Sequence, residues 1–361
     1  SFTAPEDADR ANLGTVLRGT GTAWFDDVSL EMIGESKVSA SVTDAEKLRL
    51  NMKGAGDEWQ MPSDRWPYRA ELSALNPSAG AAEGIGLVDL HRFTVRLGRR
   101  GAGQSVRLTD GKRQLDLIRM DDLVAFPARL PGRTGQRYHA YFSSGQQGAG
   151  DASAGYERLL YGDLNLVENS DVEEGDELPT GWIGGEEGQY PEQAEMGIDT
   201  PGRYGSQCLR LHMPHDAETQ WFGWKQQVPV SPGKKYLLGA WVKTEDVRNG
   251  DVKLHVHYMN ADGELCESGA FANTGEGISG TKDWTLLSGV FQTPQDCEIF
   301  QIHLTTNATG TVWHDGVLLA RAVQATPGRL EAAPELRRNR LTAWPVNSVV
   351  KVFPDDPPPA E

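Results

Sequence analysis

The stretch ETQWFGWKQQVPVSPG, Glu218 to Gly233, brings two tryptophans, a lysine and two glutamines into one predicted strand. Val228 and Val230 set the inward parity, so Phe222 and Trp224 are predicted to face a core, while Trp221, Lys225 and Gln227 face out. A bulge at Gly223 would switch the phase and turn Trp224 outward, so Trp224 stays a second candidate behind Trp221. Two further stretches repeat the pattern. In KLHVHYMN, His255 and His257 alternate with Leu254 and Val256, and in IFQIHLTT, Gln301 and His303 alternate with Phe300, Ile302 and Leu304. An exposed indole beside amides and imidazoles suits a ligand with a flat apolar face and a rim of hydroxyls, as a pyranose has. The plainer reading makes these the solvated side of half-buried strands. His255 and His257 also share a side in the manner of a zinc pair, but nothing else has ligand spacing.

These side chains need strands to carry them, and short alternating segments dominate this region. GSQCLRLHM, KKYLLGAWVK, WTLLSGVFQTP and TVWHDGVLLA join the three stretches above, separated by turns such as SPGK, RNGD and NADG. About eight strands in this span predict two packed antiparallel sheets, for which a jelly roll is the common solution. The whole chain is predicted to be all-β, because 41 glycines and 20 prolines stand beside only 38% hydrophobic residues and long helical periodicity is nearly absent. The longest helix-like piece, around Pro327 to Arg340, is short and lies in an expected linker. Trp241, Trp284 and Trp313 are expected to brace the core, with Trp182 packing at the start of the module.

A formal charge of −16 argues against nucleic acid, whose affinity comes largely from Lys and Arg displacing counterions. No apolar run approaches the roughly 20 residues that span a bilayer, so membrane insertion is not expected, and no signal peptide opens the chain at Ser1. Cys208, Cys266 and Cys297 do not fit a disulfide framework; one pair could bridge and leave the third free, and Cys208 reads as a buried apolar residue.

Phe2 to Leu30 aligns without a gap on Phe291 to Leu319, with ten of 29 positions identical: Phe, Pro, Asp, Thr, Gly, Thr, Trp, Asp, Val and Leu. TGTAWFDDVSL in the first corresponds to TGTVWHDGVLL in the second. Residues 1–34 therefore read as the last two strands of an incomplete module, truncated or completed by another chain, residues 36–162 as an accessory β-sandwich, and residues 163–321 as a complete copy. Residues 322–361, with their Pro-rich acidic end, read as a linker towards a further region.

NLVENSDVEEGDELPTGW, QQVPVSPGKKYLLGAWVK and GVFQTP…GTVWHDGVLL, in that order, resemble the carbohydrate-binding modules of families four, nine and twenty-two, which share the galactose-binding-like jelly roll. The resemblance covers 163–321, with 1–34 as a remnant. It implies polysaccharide or oligosaccharide binding, with Trp221 in the W-x-G phrase where a binding Trp often stands. It also implies a structural calcium ion between the first and last strands, with Glu173 and Asp315 as ligands. Val172 replaces the usual Phe, and HDG replaces FDD, where the first copy keeps Asp26 and Asp27.

LPGRTGQRYHAYFSSG resembles the ending of small β-sandwich domains that stand beside hydrolase modules in large secreted polysaccharide-degrading proteins. Arg92, Arg96, Arg99, Arg100, Arg107, Arg113 and Arg119 read as surface charges interleaved with acids rather than as a reader of acidic polysaccharide. No G-x-S-x-G elbow, P-loop, HExxH or dinucleotide turn is present, and paired carboxylates select nothing among 51 acidic residues. AWPVNSVVKVFPDDPPPAE resembles the approach to a glycoside-hydrolase-like catalytic region. The function expected is non-catalytic: holding a polysaccharide near an attached catalytic domain, in a secreted, periplasmic or cell-surface setting. A structural spacer without sugar binding, and a hydrolase or lyase with its site between modules, are the alternatives.

Overall fold

Thr309–Ala332 forms a strand of 24 residues, long enough to belong to three sheets at once. It is the last of the elements in this computed structural model, which describes residues 52–76, 79–91, 93, 97, 105–120, 123–143, 152–184 and 191–334. In order these are β1 (Lys53–Gly54), β2 (Tyr68–Asn76), β3 (Ala82–Asp89), β4 (Val106–Thr109), β5 (Gln114–Leu115), β6 (Ile118–Met120), β7 (Leu123–Leu130) and β8 (Thr134–Phe142). Then follow α1 (Ala152–Leu160), β9 (Glu195–Asp199), β10 (Cys208–Met213), β11 (Phe222–Pro229), β12 (Lys235–Met259), β13 (Phe271–Asn273), β14 (Ile278–Gln292), β15 (Ile299–Thr306) and β16 (Thr309–Ala332). The chain divides into two units, Ser1–Thr43 and Asp44–Glu361, and all described residues belong to the second. The first copy of the repeat, including Asp26 and Asp27, lies outside them, as do Arg92, Arg96, Arg99 and Arg100. None of the described helices is long and apolar enough to cross a membrane.

The later half is an antiparallel jelly-roll sandwich. One sheet runs β9-β10-β16-β12-β14, the other β11-β15-β12-β13. β12 serves both sheets: Tyr236–Thr244 pairs with β16 and β14, and Val252–Met259 pairs with β15. Between the two runs, Asp246 and Asn249 take positive φ of 53° and 60°, a conformation that Asn and Asp tolerate better than most residues. Phe222, Trp224, Leu254, Val256, Phe300, Ile302 and Leu304 from the second sheet meet Leu209, Leu211, Leu238, Val242, Val312 and Leu319 from the first in one core. Cys208, Cys266 and Cys297 are buried and unbridged. Trp182 is buried, its Nε1 donating to the Asn169 carbonyl at 3.1 Å. Trp241 and Trp313 instead stay half-buried: Arg203 lies 3.6 Å over the first, and the second donates to Asp199 at 2.7 Å.

Residues 322–332 are not a linker. Ala322–Gln324 pairs in parallel with Ile85–Leu87 of β3, and Ala325–Ala332 pairs antiparallel with β2. β16 thereby completes both sheets of the first sandwich, β16-β2-β8-β4-β5 and β16-β3-β7-β6. The register shift between Pro327 and Leu330 absorbs Pro327-Gly328 inside the strand. The helix-like piece proposed for 327–340 is accordingly strand as far as Ala332, and residues 335–340 lie outside the described set.

The described helix stands elsewhere, at α1. Tyr156, Leu159 and Leu160 share its buried side at helical spacing and fill a third core with Ile85, Leu87 and Ala125 of the first sandwich and Leu237, Leu318 and Ala320 of the second. Arg107 and Arg113 of the first sandwich are engaged locally, one over the Trp66 ring and the other against Asp110.

His314 on β16 is fully buried, and neither ring nitrogen has a hydrogen-bond partner. Burial pushes its pKa down from the ordinary 6.5 to about 3. The unfolded chain therefore takes up the proton first, so stability is whole above pH 6.5 and is lost as pH falls towards 3, by about 1.4 kcal/mol per pH unit from this residue. The first copy of the repeat has Phe25 at the equivalent position. His314→Phe is expected to stabilise the protein at pH 7 by about 1 kcal/mol, since an unpaired buried polar group is removed. At pH 4.5 the gain should grow to about 3 kcal/mol or more. Urea unfolding at the two pH values measures this, and an equal difference at both would contradict it.

Candidate functional site

β11, β15, β12 and β13 turn one side of each strand into the core and the other onto a shared outer face. Their registers arrange that face in rows: Lys225, His303, His255 and Asn273 lie side by side, and Gln227, Gln301, His257 and Phe271 form the next row. β11 pairs with β15 from Phe222 to Pro229 without a register shift, so Gly223 marks no bulge. Its presence has another cause: a Cβ there would lie 2.0 Å from the Leu304 carbonyl oxygen.

The parity read from Val228 and Val230 decides between the tryptophans. Trp221 is 43% exposed at the mouth of the strand. Trp224 is 1% exposed, and its Nε1 donates to the Arg210 carbonyl at 3.3 Å, so it has no face to offer a ligand and is withdrawn as a binding candidate.

Trp221, Lys225, His255, His257, His303, Thr305, Phe271 and Asn273 line an open cleft of about 430 Å³. The Trp221 and His255 rings stand 4.5 Å apart between centroids, tilted by 51°. His257 and His303 are 4.0 Å apart, and Phe271, 69% exposed, lies 6.2 Å from His257. Gln301 sits beside the cleft, and its Oε1 accepts a 2.8 Å hydrogen bond from His303 Nε2 in the tautomer protonated there. Gln227 lies on the same face outside the cleft lining, its amide directed to Met259 Sδ. Phe271 and Asn273 carry no signal in the sequence, because FAN is a strand of three residues with no period to detect, whereas Thr305 continues the outward alternation of Gln301 and His303 on β15.

Burial depresses all three imidazoles. His303 falls to about 3 through burial and then the neighbouring His257 and Lys225, His257 is lowered by burial and Lys225, and His255 by burial and Lys253. At neutral pH the rings are therefore uncharged, each with one donor and one acceptor nitrogen, which matches hydroxyls. His255 Nε2 is buried without a partner. The arrangement offers two aromatic surfaces at its ends and a floor of neutral hydrogen-bonding groups. Among the described residues no group of three acidic, imidazole or thiol side chains is placed to hold a metal, so the His-x-His pair lacks a third such ligand.

Glu173 and Asp315 grip one loop, residues 202–207, at separate points. Glu173 Oε1 accepts the N–H groups of Ser206 and Gln207 at 2.7 Å each, and Oε2 accepts the Ser206 hydroxyl at 2.8 Å. Burial works to raise the Glu173 pKa, but these bonds outweigh it and hold the carboxyl below its usual range. Asp315 Oδ2 accepts the N–H groups of Arg203 and Tyr204 at 2.6 and 2.8 Å, and Oδ1 that of Gly316. Its burial is deep enough to raise its pKa to about 7 against those donors. A hard cation needs several oxygens turned towards it, and here the carboxylates are turned to peptide N–H groups instead. The residues present do not fit the calcium site implied by the resemblance; peptide–carboxylate bonds tie the two ends of the module.

Residues 164–310 match the family model described as a carbohydrate binding domain, in line with the resemblance read from the sequence. No curated protein matches the chain. Among solved structures, the enzymatically active domain of bacteriophage CBA120 tailspike protein 4 is 17% identical, over 44% of this chain and 21% of that one, with a TM-score of 0.34. The chain thus spans about a fifth of that structure's length. The CBM22-1 xylan-binding domain of Paenibacillus barcinonensis Xyn10C is 18% identical over 44% of this chain and 94% of its own (TM-score 0.32). A family 16 carbohydrate-binding module is 21% identical over 43% and 99%, with the same score.

Proposed function

We propose that this module holds a polysaccharide along the cleft between Trp221 and Phe271 and so keeps an attached glycoside-hydrolase-like region, in a secreted or cell-surface setting, close to its substrate. The observation that carries the reading is Trp221: an indole 43% exposed, backed by His255 at 4.5 Å, at the end of a floor of neutral imidazoles and an amide. A sugar's C–H face loses water against such a ring, while its hydroxyls exchange water for Asn273, His255 and His257. The first sandwich supports it differently, as a rigid mount joined through β16 and the α1 core.

Affinity electrophoresis over plant, algal and host glycans tests the reading. At least one polymer should retard the protein, and Trp221→Ala should weaken that retention about tenfold or more while leaving the melting temperature unchanged, because the side chain is outside the core. Retardation by no glycan in the panel would remove the proposal.

A further inference from the structure

We propose that the cleft selects sugars carrying an anionic substituent, a uronate carboxylate or a sulfate ester, with Lys225 as the counter-ion; the proposal rests on the reading of this cleft as a glycan site. Lys225 projects from the middle of β11 into the cleft lining, half-buried, beside His303 in register. Its ammonium has no hydrogen-bond or ion-pair partner among the described residues, whereas that of Lys253 is held by Asp251 at 3.1 Å. Around it, β15 presents His303 and Thr305, β12 presents His255 and His257, and β13 presents Phe271 and Asn273. No Asp or Glu is among the described residues that line the cleft.

The charge acts within the cleft, since it contributes to keeping both His257 and His303 unprotonated. In a protein of net charge −16, a lone partly desolvated ammonium on a binding floor is a local exception. Neutral hydroxyls do not need it; neighbouring neutral imidazoles would serve them. An anionic group on the ring would exchange water for a charge-assisted hydrogen bond there, and the acidic remainder of the surface would keep such polymers from binding elsewhere.

The test uses the full chain with three polymers on one neutral backbone: uronate-bearing, the same polymer after carboxyl reduction, and sulfated. Wild type should bind at least one anionic form on the order of tenfold more tightly than the reduced one, with the gap narrowing as salt is raised to about 0.5 M. Lys225→Gln should erase the gap while still binding the reduced polymer, and Lys225→Arg should keep it. Preference for uronate alone or sulfate alone identifies the source of the charge. Trp221-sensitive binding that is equal for all three polymers, or unchanged in Lys225→Gln, overturns the anion selectivity and leaves the glycan site standing. Absence of Trp221-sensitive binding to any polymer overturns both.

Discussion

Truncation after Arg321, the boundary that the sequence marks for the module, is expected to unfold the first sandwich. The cut removes Ala322–Gln324 from β3 and Ala325–Ala332 from β2, so two sheets lose an edge strand at the same place. Val323, Ala325 and Ala333 leave the core with it. Glu331 is lost from Arg69, a guanidinium only 6% exposed that also donates to the Glu58 and Asp57 carbonyls. A buried charge deprived of its partner costs about 3–5 kcal/mol by itself, and a domain's whole stability is about 5–15 kcal/mol. Hydrogen exchange should show Tyr68–Asn76 and Ala82–Asp89 losing protection, with the tryptophan-rich later sandwich still folded. Truncation after Pro334 serves as the control. If the shorter chain protects β2 and β3 as well as the control does, the strand sharing described above does not matter for stability.

Tyr156→Ala is expected to cost about 4 kcal/mol and to separate the melting of the two sandwiches. The ring is 1% exposed, stacked on Tyr204 at 6.1 Å and edge-on to Trp241 at 5.9 Å, and its hydroxyl donates to the Gly316 carbonyl at 2.7 Å. Removing it opens a cavity in the core that α1 places between the halves, and Ala cannot bridge the gap. Tyr156→Phe keeps the volume and leaves a carbonyl unpaired, for a smaller loss of about 1–2 kcal/mol. Calorimetry distinguishes the cases: one cooperative transition in wild type and the Phe variant, two in the Ala variant. A single unshifted transition for Tyr156→Ala would show that the shared core couples nothing.

How far the site was legible depends on the element. β11, β12 and β15 announce their inner and outer faces by a period of two, and the outer residues Trp221, His255, His257, Gln301 and His303 do lie on one face. For Trp224 the same period decides, since the unbroken register of β11 puts it in the core. Phe271 and Asn273 had no period to betray them. The period also places Lys225 outward, but nothing in the string tells a solvated lysine from one that lines a cleft.

What the sequence alone determined is local: strands, their faces and the jelly roll's order of segments, because alternation and turn chemistry act over a few residues. Tertiary structure decided what depends on partners distant in the chain. It turned 322–332 from linker into strand, since β3 and β2 supply hydrogen bonds from about 240 to 260 residues away, a separation that no local pattern encodes. It also turned Glu173 and Asp315 to the peptide N–H groups of 203–207, because a buried carboxylate takes whichever donors the folded backbone brings to it.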